Sequence, residues 1–301
     1  MIEKELIEII KNTINSEYIG DDCAYFKRLG IVVTQDNLVE DIHFSLKYTT
    51  GFELGYKSAM VNLSDIAASG GRAECLSVGL SLPNYIDEGF VKSFYEGMKF
   101  ASENVEIIGG DITGADKVMV SVCAIGSDKN RKISSRKCAK VGQKICVSGV
   151  HGSSALGLKL LSEGNYDKNN KFIKSHLMPQ AKLNISKQIA ENINYDYAMM
   201  DTSDGLADAL FTIAELSKVK LAVDFSKIPY EKELENFDNW KDLILYGGED
   251  YELVATLNDN IPDGMTIIGE VKEGCGVEIF DKDKIFNLKK NDLLAKTFNH
   301  F

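Results

Sequence analysis

Carboxylates and small residues recur together along this chain, at the ends of its apolar runs. Gly20-Asp21-Asp22 precedes the first β-branched run, and Val33-Thr34-Gln35-Asp36 closes that run in a carboxylate. Ile108-Gly109-Gly110-Asp111 repeats the arrangement, with Thr113-Gly114 reading as a turn. Met200-Asp201-Thr202-Ser203-Asp204-Gly205 repeats it again, and Gly247-Gly248-Glu249-Asp250 gives a fifth case. Asp65 falls inside a helical pattern, with Asn62 three residues earlier on the same face. Taken singly, these residues suit plainer duties: Asp204 as a cap for residues 206–216, Asp21 and Asp111 as turn residues. Their recurrence at strand end after strand end points instead to a ligand site, since α/β domains build their sites there.

Converging carboxylates repel one another, and protonation or cations must relieve that repulsion. Mg²⁺ is the natural cation, a hard ion held by one or two carboxylates together with waters and phosphate oxygens. The chemistry that follows is phosphoryl transfer, which needs positioning and charge neutralisation more than a covalent nucleophile. The glycines at 109–110 and 247–248 are expected to let backbone approach a ligand closely. Competing chemistries lack their signatures. There is no G-x-x-x-x-G-K-S/T loop, no G-x-G-x-x-G after a strand, no H-E-x-x-H and no G-x-S-x-G elbow. Four scattered histidines (His43, His151, His176, His300) make no histidine metal centre, and six cysteines follow no zinc or C-x-x-C spacing.

The elements that must carry these residues alternate between helix and strand. The spacing predicts helices over 3–14, 52–69, 87–102, 153–161, 206–216 and from Pro179 to Glu191. Strands are expected over 31–34, 76–82, 105–108, 118–125, 145–147, 197–200, 221–225, 251–257, 266–271 and 277–280. The polar, basic stretch 127–144 reads as a linker, dividing the chain near residue 140 into 1–140 and 141–301. The fold class is therefore α/β with two domains. At 301 residues, 44% hydrophobic and 26% charged, the composition is that of an ordinary globular protein. A formal charge of −11 argues against nucleic acid as a partner, although an anionic nucleotide can bind across a cation. No leader pattern or long apolar span is visible, so a cytoplasmic protein without membrane contact is expected.

In order, the segments Gly20-Asp21-Asp22-Cys23-Ala24, Asp36 with Leu38-Val39-Glu40 and His43-Phe44, Val61-Asn62-Leu63-Ser64-Asp65-Ile66-Ala67-Ala68, Gly109-Gly110-Asp111, Asp201 with Ser203-Asp204-Gly205-Leu206, and Gly247-Gly248-Glu249-Asp250-Tyr251-Glu252-Leu253 form a recognisable set. The chain resembles the thiamine-monophosphate kinase family, of the superfamily that includes aminoimidazole ribonucleotide synthetase. The likeness runs nearly its whole length, to Phe298-Asn299-His300-Phe301. The resemblance implies an aminoimidazole ribonucleotide synthetase-like α+β fold. It also implies a homodimer pairing its amino-terminal sheets, and Mg²⁺-dependent transfer of the ATP γ-phosphoryl group onto thiamine monophosphate. By position it implies Asp21, Thr34, Gln35, Asp36, Asp65, Asp111, Asp201 and Asp204 as ligands of several Mg²⁺ ions. It gives Gly110, Asp111, Arg136 and Ser203 to ATP, and His43, Glu249 and Phe298 to the thiamine moiety. No residue is implied as a covalent nucleophile. Gln35 and Asp41 depart from the family pattern, as does His151-Gly152-Ser153-Ser154. A sister ATP-dependent enzyme and a non-catalytic nucleotide- or cation-binding protein are the competing readings. Selenophosphate synthetase fits less well, because Cys23 lies within the Gly-Asp-Asp segment rather than ahead of it.

Overall fold

The computed structural model describes residues 3–282 and 284–296. The first half runs α1 (Glu3–Ile14), β1 (Ala24–Phe26), β2 (Ile31–Val39), α2 (Gly51–Ala68), β3 (Arg72–Leu82), α3 (Glu88–Ser102), β4 (Glu106–Gly114) and β5 (Met119–Ser127). Its five strands form one sheet in the order β1-β2-β5-β3-β4, antiparallel except for the β3–β4 pair.

α2 is the element that carries the site. Thr50 and Glu53 close a capping box at its start: the Thr50 hydroxyl accepts from the Glu53 N–H at 3.3 Å, and the Glu53 carboxylate accepts from the Thr50 N–H at 2.8 Å. The helix is buried around most of its circumference, between the sheet, α3 and the second half of the chain. Small residues make that possible. A Cβ on Gly55 would fall 1.9 Å from the Phe94 carbonyl, and one on Gly97 would fall 2.0 Å from that of Phe52. The two helices thus cross backbone to backbone. Gly55→Ala is expected to cost about 3 kcal/mol, because the Phe94 carbonyl cannot yield without moving its helix. Denaturant unfolding measures it.

The second half runs β6 (Lys144–Ser148), α4 (Ser153–Ser162), α5 (Lys171–Leu177), α6 (Leu183–Asn192), β7 (Met199–Asp201), α7 (Leu206–Ser217), β8 (Lys220–Asp224), α8 (Trp240–Tyr246), β9 (Leu253–Leu257), β10 (Met265–Lys272), β11 (Gly276–Asp281), β12 (Lys284–Asn287) and α9 (Lys290–Lys296). Its sheet orders as β12-β11-β8-β10-β6-β9-β7, with a core of Ile145, Val147, Leu210, Ile213, Leu221 and Val254. The halves share apolar contact: Ala67 and Ala68 of α2 pack in one cluster with Tyr197, Met199 and Leu253. Among the described residues no helix is long and apolar enough to cross a membrane.

Several expected boundaries move. β2 continues through Asp36 to Val39, and β4 continues through Asp111 to Gly114, so neither carboxylate ends its strand. A bulge at Ile108 shifts the β3–β4 register between Leu76 and Ser77, and Gly109 and Gly110 follow it within the strand, paired with Ser77 and Val78. The turn expected at Thr113-Gly114 is the end of the same strand. A Cβ on Gly110 would lie 1.8 Å from the Val78 carbonyl, so this glycine serves close packing of the sheet itself. The helix expected from Pro179 begins at Leu183. The strand expected from Tyr251 begins at Leu253, because residues 247–252 form an irregular loop in which Glu249 and Tyr251 have φ of 65° and 51°. The short helix α5 had no sequence expectation.

Candidate functional site

β2 and α2 meet through a hydrogen bond that explains Asn62. Its Oδ1 accepts from the Asp36 N–H at 3.1 Å, while its Nδ2 donates to the Ser58 carbonyl at 2.9 Å. The alternation of β2 places Thr34 and Asp36 on the face covered by α2, beside buried Val32 and Leu38. There the Thr34 hydroxyl donates to Asp65 Oδ2 at 2.5 Å. Asp65 in turn faces the second half of the chain. Carboxylate oxygens of Asp22, Asp65 and Asp201 all lie within 4.8 Å of one another.

This cluster is electrostatically unsatisfied as it stands. Burial, then Asp36, Asp201 and Asp22, push the Asp65 carboxyl well above the usual range. Burial and then Asp22 push Asp201 up to about 6, although it accepts from Ser64 Oγ at 2.6 Å and Ser203 Oγ at 2.9 Å. Arg136 is the local counter-charge. Its Nε and Nη2 donate to the two oxygens of Asp22 at 3.1 and 3.0 Å. Burial opposes the guanidinium charge, and Asp22 outweighs it, so Arg136 is held firmly protonated. Three carboxylates against one guanidinium leave an acidic deficit that suits hard cations.

The expected ligands divide. Asp65 and Asp201 belong to this cluster and Asp36 lies beside it, and Asp36, Asp65, Ser203 and Asp204 line one cavity. Asp21 instead accepts from Ser135 Oγ and from the Arg136 N–H at 2.7 Å, and its neighbour Asp22 is the one that joins the acids. Gln35 points to the opposite face of the sheet, where its Nε2 donates to Ser121 Oγ at 3.1 Å. Gly110 and Asp111 are also remote. The register row Asp36–Val122–Val78–Gly110 crosses three strand spacings, about 14 Å. Gly205, not Asp204, occupies the position ahead of α7, with no side-chain cap.

The same cavity, about 450 Å³ in volume, is also lined by His43, Tyr48, His176, Glu249 and Tyr251. His43 Nδ1 accepts from the Val39 N–H at 3.0 Å, which leaves its proton on Nε2. Glu249 is held by its own N–H, donated to the Ser203 carbonyl at 2.7 Å, and by two side chains absent from the sequence expectations. Lys57 Nζ lies 2.8 Å from Glu249 Oε1, and His176 Nδ1 lies 3.2 Å from Oε2. Burial, helped by Lys57, lowers the His176 imidazole to about 3, so it is neutral near pH 7. Lys57 is the one basic residue in α2, and that was the available signal for it. His176 sits on α5, one of the helices without a sequence expectation. Asp250 points away from the cavity and caps α4, accepting from the N–H groups of Gly152 at 2.6 Å and Ser154 at 2.8 Å. Phe298 lies outside the described residues.

Comparison with known proteins adds three findings. Residues 20–127 match the family model of the AIR synthase related protein, N-terminal domain. A thiamine-monophosphate kinase of Bacillus subtilis is 38% identical across 80% of this chain and 77% of its own, and that of Aquifex aeolicus 35% identical across 92% and 94%. Among solved structures, AaThiL complexed with AMPPCP and TMP superposes with a TM-score of 0.85 at 33% identity, covering 96% of this chain and 97% of that one.

Proposed function

Because the chain belongs to the thiamine-monophosphate kinase family it is an ATP-dependent kinase, and we propose that one cavity joins the acidic and substrate groups for direct phosphoryl transfer to thiamine monophosphate. The observation that carries this reading is that one cavity is lined both by Asp36, Asp65 and Asp204 and by His43, His176 and Glu249. A phosphate oxygen of thiamine monophosphate forms the new bond to the γ-phosphorus of ATP. The bond from that phosphorus to the β–γ bridging oxygen breaks, and ADP leaves with the electron pair. The attacking phosphate is already ionised, so no side chain need remove a proton from it.

Asp22, Asp36, Asp65, Asp201 and Asp204 are the carboxylates for Mg²⁺, and the crowding of three of them within 4.8 Å suits that ion. When bound, Mg²⁺ supplies neutralisation of the triphosphate charge. Thr34 orients Asp65, and Ser203 orients Asp201. Arg136, with Nε and Nη2 committed to Asp22, retains Nη1 donors for an ATP phosphate oxygen. The Glu249 carboxylate faces the cationic ring of the thiamine moiety, beside His43.

Gly110 and Asp111 enter the site from a second copy. β1 covers only residues 31–33 of β2, and the outer side of β4 carries no partner strand among the described residues. Pairing β4 of one copy along residues 34–39 of the other would set Asp111 of the partner subunit beside Gln35 and Asp36. The protein is thus read as a homodimer of chains organised as 1–140 and 141–301, working in the cytoplasm. Incubated with ATP, Mg²⁺ and thiamine monophosphate, the purified protein is expected to form thiamine diphosphate and ADP in equal amounts. Folded protein that yields ADP without thiamine diphosphate, or neither product, overturns the reading.

A further inference from the structure

Lys57 is 2% exposed, lies on α2, and reaches across to the loop that carries Glu249 in the other half of the chain. The groups facing Glu249 come from several elements: Lys57 from α2, His176 from α5, His43 from the turn after β2, Tyr48 from the segment before α2, and Tyr251 from its own loop. Among these, Lys57 alone carries a fixed positive charge within contact distance, because His176 is neutral. Burial opposes the charge on Glu249, but Lys57 outweighs it and holds the carboxyl below its ordinary range. The backbone at Glu249 is left-handed, with φ of 65°, so the side chain has few alternative placements once Lys57 and His176 hold its two oxygens.

We propose that Lys57 is a positioning residue that sets substrate specificity, fixing the Glu249 carboxylate in the cavity as the counter-charge for the cationic ring. This rests on the reading of Glu249 given above. Lys57 then works through Glu249 and does not touch the substrate, so its loss weakens binding without impairing the chemical step.

The test is a double-mutant cycle on the full chain, read as KM for thiamine monophosphate separately from kcat. Lys57→Met is expected to raise KM roughly tenfold near pH 7 and to leave kcat within about threefold. With Lys57 gone, burial drives Glu249 toward its neutral form, so this KM defect shrinks as pH rises and the carboxylate ionises again. Glu249→Gln raises KM similarly but without that pH dependence. The pair Lys57→Met/Glu249→Gln, which leaves no unpaired buried charge and so keeps the test usable if the single variant fails to fold, shows the KM of Glu249→Gln alone. Lys57→Arg restores most of the affinity. Additive KM effects in the double variant, or a Lys57→Met defect that persists unchanged to high pH, overturn the inference. A normal KM for Glu249→Gln instead overturns the reading of Glu249 as the ring's counter-charge, whatever Lys57 does.

Discussion

Asp65→Asn is expected to lower kcat by about 10²- to 10³-fold, the usual loss when a charge-neutralising group is removed from a transition state. The same substitution is expected to raise the melting temperature of the metal-free protein. Asp65 is half-buried beside Asp36, Asp201 and Asp22, and burial with their repulsion already disfavours its charge. An Asn oxygen accepts the Thr34 hydroxyl as the carboxylate does, so packing is kept while the repulsion goes. The two effects have opposite signs, which separates a functional acid from a structural one. Steady-state kinetics at saturating Mg²⁺ and thermal unfolding in chelator measure them. A variant that loses both activity and stability would place Asp65 in the scaffold instead.

Arg136→Met is expected to destabilise the metal-free protein by about 3–5 kcal/mol, the cost of removing one partner of a buried ion pair. Its side chain is 22% exposed and that of Asp22 only 2%, and Asp22 without it faces Asp65 and Asp201 uncompensated. Backbone contacts remain: the Arg136 N–H still donates to Asp21, and its carbonyl still accepts from Ser217 Oγ. Added Mg²⁺ is expected to recover more stability in this variant than in the parent, because the cation takes over the lost counter-charge. Denaturant unfolding with and without Mg²⁺ checks this, and equal recovery in both proteins would contradict it.

The acids were legible in the sequence as a group because charge crowding needs no knowledge of topology. Their exact membership was not. Asp21 and Asp22 are adjacent and chemically identical, and only the Ser135-Arg136 segment, more than a hundred positions later, decides that Asp21 accepts backbone and hydroxyl donors while Asp22 joins the cluster. Gln35 and Asp36 differ by one strand position, which puts them on opposite faces of the sheet. Asp111 looked like a strand end because Thr113-Gly114 reads locally as a turn, whereas pairing with β3 carries the strand onward to Gly114. Alternation of helix and strand, by contrast, follows from local periodicity, and most elements fall where the spacing put them. Lys57 shows the converse limit. Its partner Glu249 lies on another sheet's loop, so no local pattern links them.

α2 carries both kinds of group along one face, Lys57 and Asp65 lying eight residues apart with Val61 between them on the cavity wall. At about 1.5 Å per residue that spacing is about 12 Å, and backbone contact with α3 at Gly55 keeps the helix from sliding. The helix is therefore a ruler. On the function proposed above, it fixes the separation between the lysine that holds the ring's counter-charge and an acid that serves the phosphates.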